Sequence, residues 1–180
     1  MKKFLFFTIL IFSVNLYSQE ITNSNIDSLK IESIKIFQDL FRLKPIKHYG
    51  WVTDYEKLYS KKEIKNLNRL ITEFEKQTSN EIAIITLDSL RVTEENFDAL
   101  SLRVANEWAI GKPEKNNGIL IAISKKFRKI RIQNGIGIEK ILNDFETKQI
   151  IENQFIPYFK EDDYYKGTYK GILEIIEKLK

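Results

Sequence analysis

Five oxygen-bearing side chains, Asp54, Asn116, Asn117, Glu139 and Asp144, fall where loops or element ends are expected. Oxygen donors gathered from such places are what a hard cation such as Ca²⁺ or Mg²⁺ requires, through roughly six to eight oxygens if it is Ca²⁺. The same side chains have a second use, because Asp and Asn also cap helices and close turns. Residue type alone leaves both uses open. Other chemistries fail on supply. The chain has no Cys, hence no thiol nucleophile, and its single His48 cannot serve both a triad and a metal cluster. No Gly-x-x-x-x-Gly-Lys-Ser/Thr loop is present, and Gly135-x-Gly137 lacks the third glycine of a dinucleotide fingerprint. A bulge or tight turn is the expected use of that pair, and no organic cofactor is expected. No residue is singled out as catalytic.

A second constellation is basic. Lys125, Lys126, Arg128, Lys129 and Arg131 stand in a stretch with no acid between Asn116 and Ile138. Such a tip could contact phosphate groups or an acidic protein. It also fits a solvated strand edge kept from strand-to-strand aggregation by its lysines. The whole chain carries 29 basic and 25 acidic residues, a formal charge of +4, which makes no electrostatic case for nucleic acid.

The elements that must position these residues follow from periodicity. Ser60 with Glu63 forms a capping box ahead of Ile64, Leu67, Leu70, Ile71 and Phe74, which predicts a helix over 61–77. Glu81 to Leu87 is an apolar, largely β-branched run of buried-strand length. Thr93 opens a second helix through Phe97, Leu100, Val104 and Trp108, ended by Gly111 and Pro113; Trp108 belongs with its apolar face. Ile119–Ser124 and 128–133 read as strands joined by three residues, an antiparallel hairpin. Asp144–Phe159 and Tyr169–Leu179 complete the pattern as helices. Helices interleaved with strands are best satisfied by a central sheet covered on both sides.

Three segments resemble the signature of the TPM domain family: Asn106-x-Trp108-x-Ile110-Gly111, then Lys115-Asn116-Asn117-Gly118 entering an aliphatic strand, then Arg131-Ile132-x-x-Gly135-x-Gly137-x-Glu139. Val52, Asp54 and Leu58-Tyr59-Ser60 match an earlier landmark, and Asp163-Tyr164-x-x-Gly167 a later one. The resemblance covers about Trp51 to Leu179. It implies a three-layer α/β/α sandwich with a Rossmann-like mixed sheet and a β-hairpin. Some members are described as metal-binding or as phosphatases, and the matching positions here are Asp54, Asn117 and Asp144, with Asn116 and Glu139 beside them. Relatives often read Lys-Asp-Asn-Gly where this chain has Asn116, and losing that carboxylate lowers the attraction for Ca²⁺.

Bacterial members are mostly envelope proteins, and the N-terminus here fits export. Met1-Lys2-Lys3, the apolar run Phe4–Val14 and small Ser18 read as a signal peptide over residues 1–18, too short for a comfortable membrane span. Its removal would take the basic count from 29 to 27 against 25 acids. Residues 19–49 then form an N-terminal helix, about Asp27–Phe41, and a linker at Pro45–Tyr49; residues 50–180 form the TPM domain. The expected role is an accessory binding module in the periplasm or outside the cell, working on an envelope protein, with a possible Ca²⁺ or Mg²⁺ site. A metal-dependent acid phosphatase is the alternative, and a passive Ca²⁺ module the third reading. No stable membrane span is expected after cleavage, and no nucleic-acid partner.

Overall fold

The run EIAIITL, apolar on both faces after Glu81, forms β2 (Glu81–Thr86) at the middle of a four-stranded sheet, and every residue of it is buried. In the computed structural model, which describes residues 25–36 and 44–180, the strand order is β1 (Val52–Asp54), β2, β3 (Gly118–Ser124), β4 (Lys129–Asn134). β1, β2 and β3 are parallel, with Asp54 beside Thr86 and Glu81 beside Gly118. β4 returns antiparallel, Ser124 beside Lys129 and Ile119 beside Asn134. The hairpin is as expected. β1 is an addition, since three residues are too few to show a period.

Side chains alternate across the sheet and feed two cores. Ile82 and Ile84 of β2, with Ile119, Ile121 and Ile123 of β3, face α1 (Lys61–Thr78) and the C-terminal helices. Ala83, Ile85, Leu120 and Ala122 face α2 (Phe97–Glu107) through Phe97, Leu100 and Val104. This is the mixed sheet with helices on both sides that the periodicity implied. α1 starts with the full capping box, Glu63 N–H donating to Ser60 Oγ and Ser60 N–H to the Glu63 carboxylate. α2 starts at Phe97, later than Thr93, because Thr93 and Asn96 bond to each other in a turn ahead of it.

After β4 come the short α3 (Ile136–Glu139) and α4 (Asp144–Ile150), a π-helical turn over Ile151–Phe155, α5 (Ile156–Lys160) and α6 (Tyr164–Leu179). The single helix expected over 144–159 is thus interrupted. Pro157 has no N–H to donate and sits in the first turn of α5, where none is needed. α6 begins five residues before the expected start, with Asp163 accepting from Lys166 N–H as its cap. Its Gly171 lies under Phe155, where a Cβ would come within 1.9 Å of the ring.

The chain divides into two units, Met1–Lys44 and Pro45–Lys180. In the first, residues 25–36 are helical; the rest of the helix expected over about Asp27–Phe41, and the expected signal peptide, lie outside the described residues. Pro45–Tyr49, expected as a linker, packs on the second unit: Ile46 is buried, and its carbonyl accepts from Trp108 Nε1 at 2.8 Å. Trp108 is accordingly half-buried, with its ring 4.6 Å from that of exposed His48.

Candidate functional site

The parallel strands give the sheet two distinct ends, and the predicted oxygen donors are divided between them. Asp54 closes β1 at the carboxyl end, level with Thr86, whereas Asn117 precedes β3 at the amino end, level with Glu81. Five residue steps along β2 separate the two levels, about 16 Å at 3.3 Å per residue. Donors to one Ca²⁺ lie about 2.5 Å from it, so Asp54 and Asn117 do not share an ion. Asn116, with Glu139 nearby, belongs to the amino end, where Gly137 N–H donates to the Asn116 carbonyl. Asp144 is exposed in the first turn of α4, on the same side: the Leu142 carbonyl just before it accepts from Asn134. Among the described residues no three His, Cys, Asp or Glu side chains gather as a metal group.

At the amino end the motif residues turn inward. Asn117 is buried; its Oδ1 accepts from Lys112 N–H at 2.8 Å, and its Nδ2 donates to the Ser79 carbonyl at 2.8 Å and to Asn80 Oδ1 at 3.0 Å. One amide thus ties the end of α1 to the loop before β3. Glu81, which sequence reading passed over as the opening residue of a strand, is a buried carboxylate accepting from Gly111 N–H and Lys112 Nζ. Its single charged position in an apolar run was the available signal. Gly118 lies against Ile110, where a Cβ would sit 2.0 Å from the carbonyl oxygen.

The carboxyl end is open. Asp54 accepts from Thr86 Oγ1 at 2.6 Å, Leu58 N–H at 3.0 Å and Tyr59 N–H at 2.8 Å, drawing residues 55–59 over the strand ends. Thr86 Oγ1 in turn accepts from Glu56 N–H. The Glu56 carboxylate then reaches β3, accepting from Lys125 N–H at 2.7 Å and Lys126 N–H at 3.1 Å. Burial pushes its carboxyl above the ordinary glutamate value, against those two bonds. Beneath the loop, Tyr59 bonds to Thr168 of α6 at 2.8 Å, and burial drives its hydroxyl far up.

These loops border a cleft of about 1040 Å³. Lys125, Lys126, Arg128, Lys129 and Lys160 bring positive charge to it, against Glu56, Asp88 and Asp162. Tyr55, Phe159, Tyr164, Ile130 and Ile156 supply apolar wall. Lys125 Nζ pairs with Asp162 at 2.6 Å and lies 5.3 Å from the centre of the Tyr164 ring. Both charges of that pair are well exposed, so it holds the cleft's shape only weakly. Burial raises the Tyr164 hydroxyl, with Lys125 opposing. A crevice beyond the carboxyl ends of parallel strands is where α/β sheets most often take a ligand. The basic run was visible in the sequence; its neighbours Glu56, Lys160 and Asp162 were not, because only the fold brings them together.

The profile of the TPM domain matches residues 52–178. Among solved structures, the chain is similar to the N-terminal domain of a protein from P. gingivalis at 28% identity, with a TM-score of 0.65 over 72% of this chain and 81% of that one. The BA42 protein of the psychrophilic bacterium Bizionia argentinensis shares the fold at 21% identity, with a TM-score of 0.60 over 69% of this chain and 83% of that one. So does the N-terminal domain of the cg2496 protein of Corynebacterium glutamicum, at 16% identity and a TM-score of 0.56 over 77% and 85%. No curated protein matches the chain. With the match running from β1 to the last turn of α6, the chain belongs to the TPM domain family.

Proposed function

We propose that this TPM domain protein is an exported accessory module of the cell envelope, which binds a partner through the cleft at the carboxyl end of its sheet. One observation supports the reading above others: the cleft is cationic and aromatic-walled, while the carboxylates beside it, Asp54 and Glu56, already accept two or three hydrogen bonds each. Carboxylates so engaged position loops rather than abstract protons. Charge and apolar surface without a free base suit recognition. Residues 1–18 direct export in this reading.

The test uses protein expressed in its own host. Mass spectrometry is expected to find a chain starting near Gln19, and an intact Met1 in the membrane fraction would overturn export. Purified wild type is expected to retain an envelope protein that Lys125→Glu/Lys126→Glu does not; equal retention by both would overturn the cleft.

A second reading, the metal-dependent acid phosphatase, draws on the same basic cleft, which fits a phosphate group, and on Glu56, a carboxyl that takes up a proton more readily than usual. Turnover of p-nitrophenyl phosphate that EDTA abolishes and Glu56→Gln reduces at least tenfold would establish it. A divalent cation bound by Asp144 at the amino end would show as a Ca²⁺-dependent rise in melting temperature that Asp144→Asn removes. An equal rise in both proteins would separate Asp144 from any cation site.

A further inference from the structure

Among the described residues, the sheet has an outer strand whose outward pairing groups are unused. Gly135 N–H donates to the Gly118 carbonyl, which fixes the alternation of the hairpin: Lys129, Arg131 and Gln133 turn their backbone groups toward β3. The N–H and C=O groups of Ile130 and Ile132 therefore point away from the sheet. Among the described residues no strand lies beyond β4, and no backbone or side-chain group bonds to these four. An edge of this kind is a template for another extended chain.

The side chains beside the edge say which chain fits. On the α2 face stand Lys129, whose Nζ donates to the Glu94 carbonyl, and Arg131, which is exposed and makes no ion pair or hydrogen bond among the described residues. On the opposite face Ile130 and Ile132 pack into the core, and Ile130 continues into the cleft wall toward Ile156. Two copies of β4 paired edge to edge would set Lys129 and Arg131 against their own kind, and like charges across a strand pair are destabilising. A strand with acids at alternate positions meets the opposite situation. Its carboxylates face Lys129 and Arg131, and its intervening apolar residues face Ile130.

We infer that β4 is a docking edge for an extended segment of a partner protein in which acidic and apolar residues alternate, added as a fifth strand whose end enters the basic cleft. The inference rests on the accessory-module reading and names the partner chemistry that reading leaves open. Main-chain bonds to Ile130 and Ile132 supply attachment, and Lys129 and Arg131 select the sequence.

The probe is a capped heptapeptide alternating glutamate and valine, added to ¹⁵N-labelled full-length protein. Amide exchange at Ile130 and Ile132 is expected to slow at least tenfold, with β1 unchanged. The lysine–valine peptide, and a glutamate–valine peptide N-methylated at alternate residues, are expected to leave exchange as it was. Lys129→Glu/Arg131→Glu, folded by circular dichroism, is expected to lose the acidic peptide and gain the basic one. Three results would overturn the docking edge. One is acidic-peptide binding that shifts only cleft residues such as Lys125 and Tyr164, which would keep the cleft and remove the strand. Another is concentration-dependent protection of Ile130 without peptide, marking a second copy as the occupant. The third is no binding at millimolar peptide.

Discussion

The two ends of one sheet have opposite characters. At the amino end the polar groups are consumed: Asn117 makes three hydrogen bonds while buried, Glu81 takes two donors, and Gly118 leaves no room for a methyl group. At the carboxyl end the polar groups border a cleft, and five cations line it. The family signature Lys115-Asn116-Asn117-Gly118 lies at the closed end. A motif that identifies a fold therefore need not touch a ligand; here it fastens α1, β2 and β3 where they meet.

That contrast can be broken by substitution. Gly118→Ala should do the most damage, about 3 kcal/mol, because the methyl group meets a backbone carbonyl that no rotamer change can move; urea denaturation measures it. Asn117→Ala should cost about 2 kcal/mol on the same scale, since it strands the Lys112 N–H and the Ser79 carbonyl in a buried place. If either variant melted like wild type, the amino end would not be structural. Lys125→Glu/Lys126→Glu, in contrast, should stay within about 0.5 kcal/mol of wild type, both residues being exposed. A large loss there would mean that the carboxyl end also holds the fold together.

The smallest effect is a titration. Glu56 is held above 4.5 by burial, so between 4.5 and its folded value the native protein keeps a proton that the unfolded chain has released. Stability at this position is thus gained as pH falls through the folded value, is fully present below 4.5, and is lost as pH rises. Carbonyl ¹³C NMR should place the Glu56 midpoint above 4.5, with the Lys125 and Lys126 amides following it. A midpoint at or below 4.5 would show that the two backbone bonds outweigh burial.

Much of this was legible beforehand. Three strands, the hairpin, the α1 capping box and the family all follow from period and spacing, because β2, β3 and α1 are long and strongly patterned. β1 has three residues and no period to read. The early start of α6 was obscured by Gly167 and Gly171, poor helix formers used there for close approach to Phe159 and Phe155. The oxygen donors are divided between the two ends for a topological reason. Asp54 and Asn117 both flank strands, but one follows its strand and the other precedes its own, so parallel pairing sends them to opposite ends.

The π-helical turn at Ile151–Phe155 also bears on the tolerance of this chain to changes in length. Ile156 N–H bonds back five residues to Ile151, so the turn holds one more residue than an α-helical turn would. Deleting one exposed residue there, Asn153, would let 144–160 wind as continuous α-helix with everything beyond it still in register with α4, because the turn absorbs its surplus residue locally. Phe155 would keep its seat on Gly171, and Phe159 its place against Tyr164 in the cleft wall, whereas a second inserted residue would displace both. Here an insertion and a deletion are not equivalent. The surplus residue is already absorbed in the turn, so a homologue shorter by one at this point can line its cleft with the same side chains on a plain α-helix.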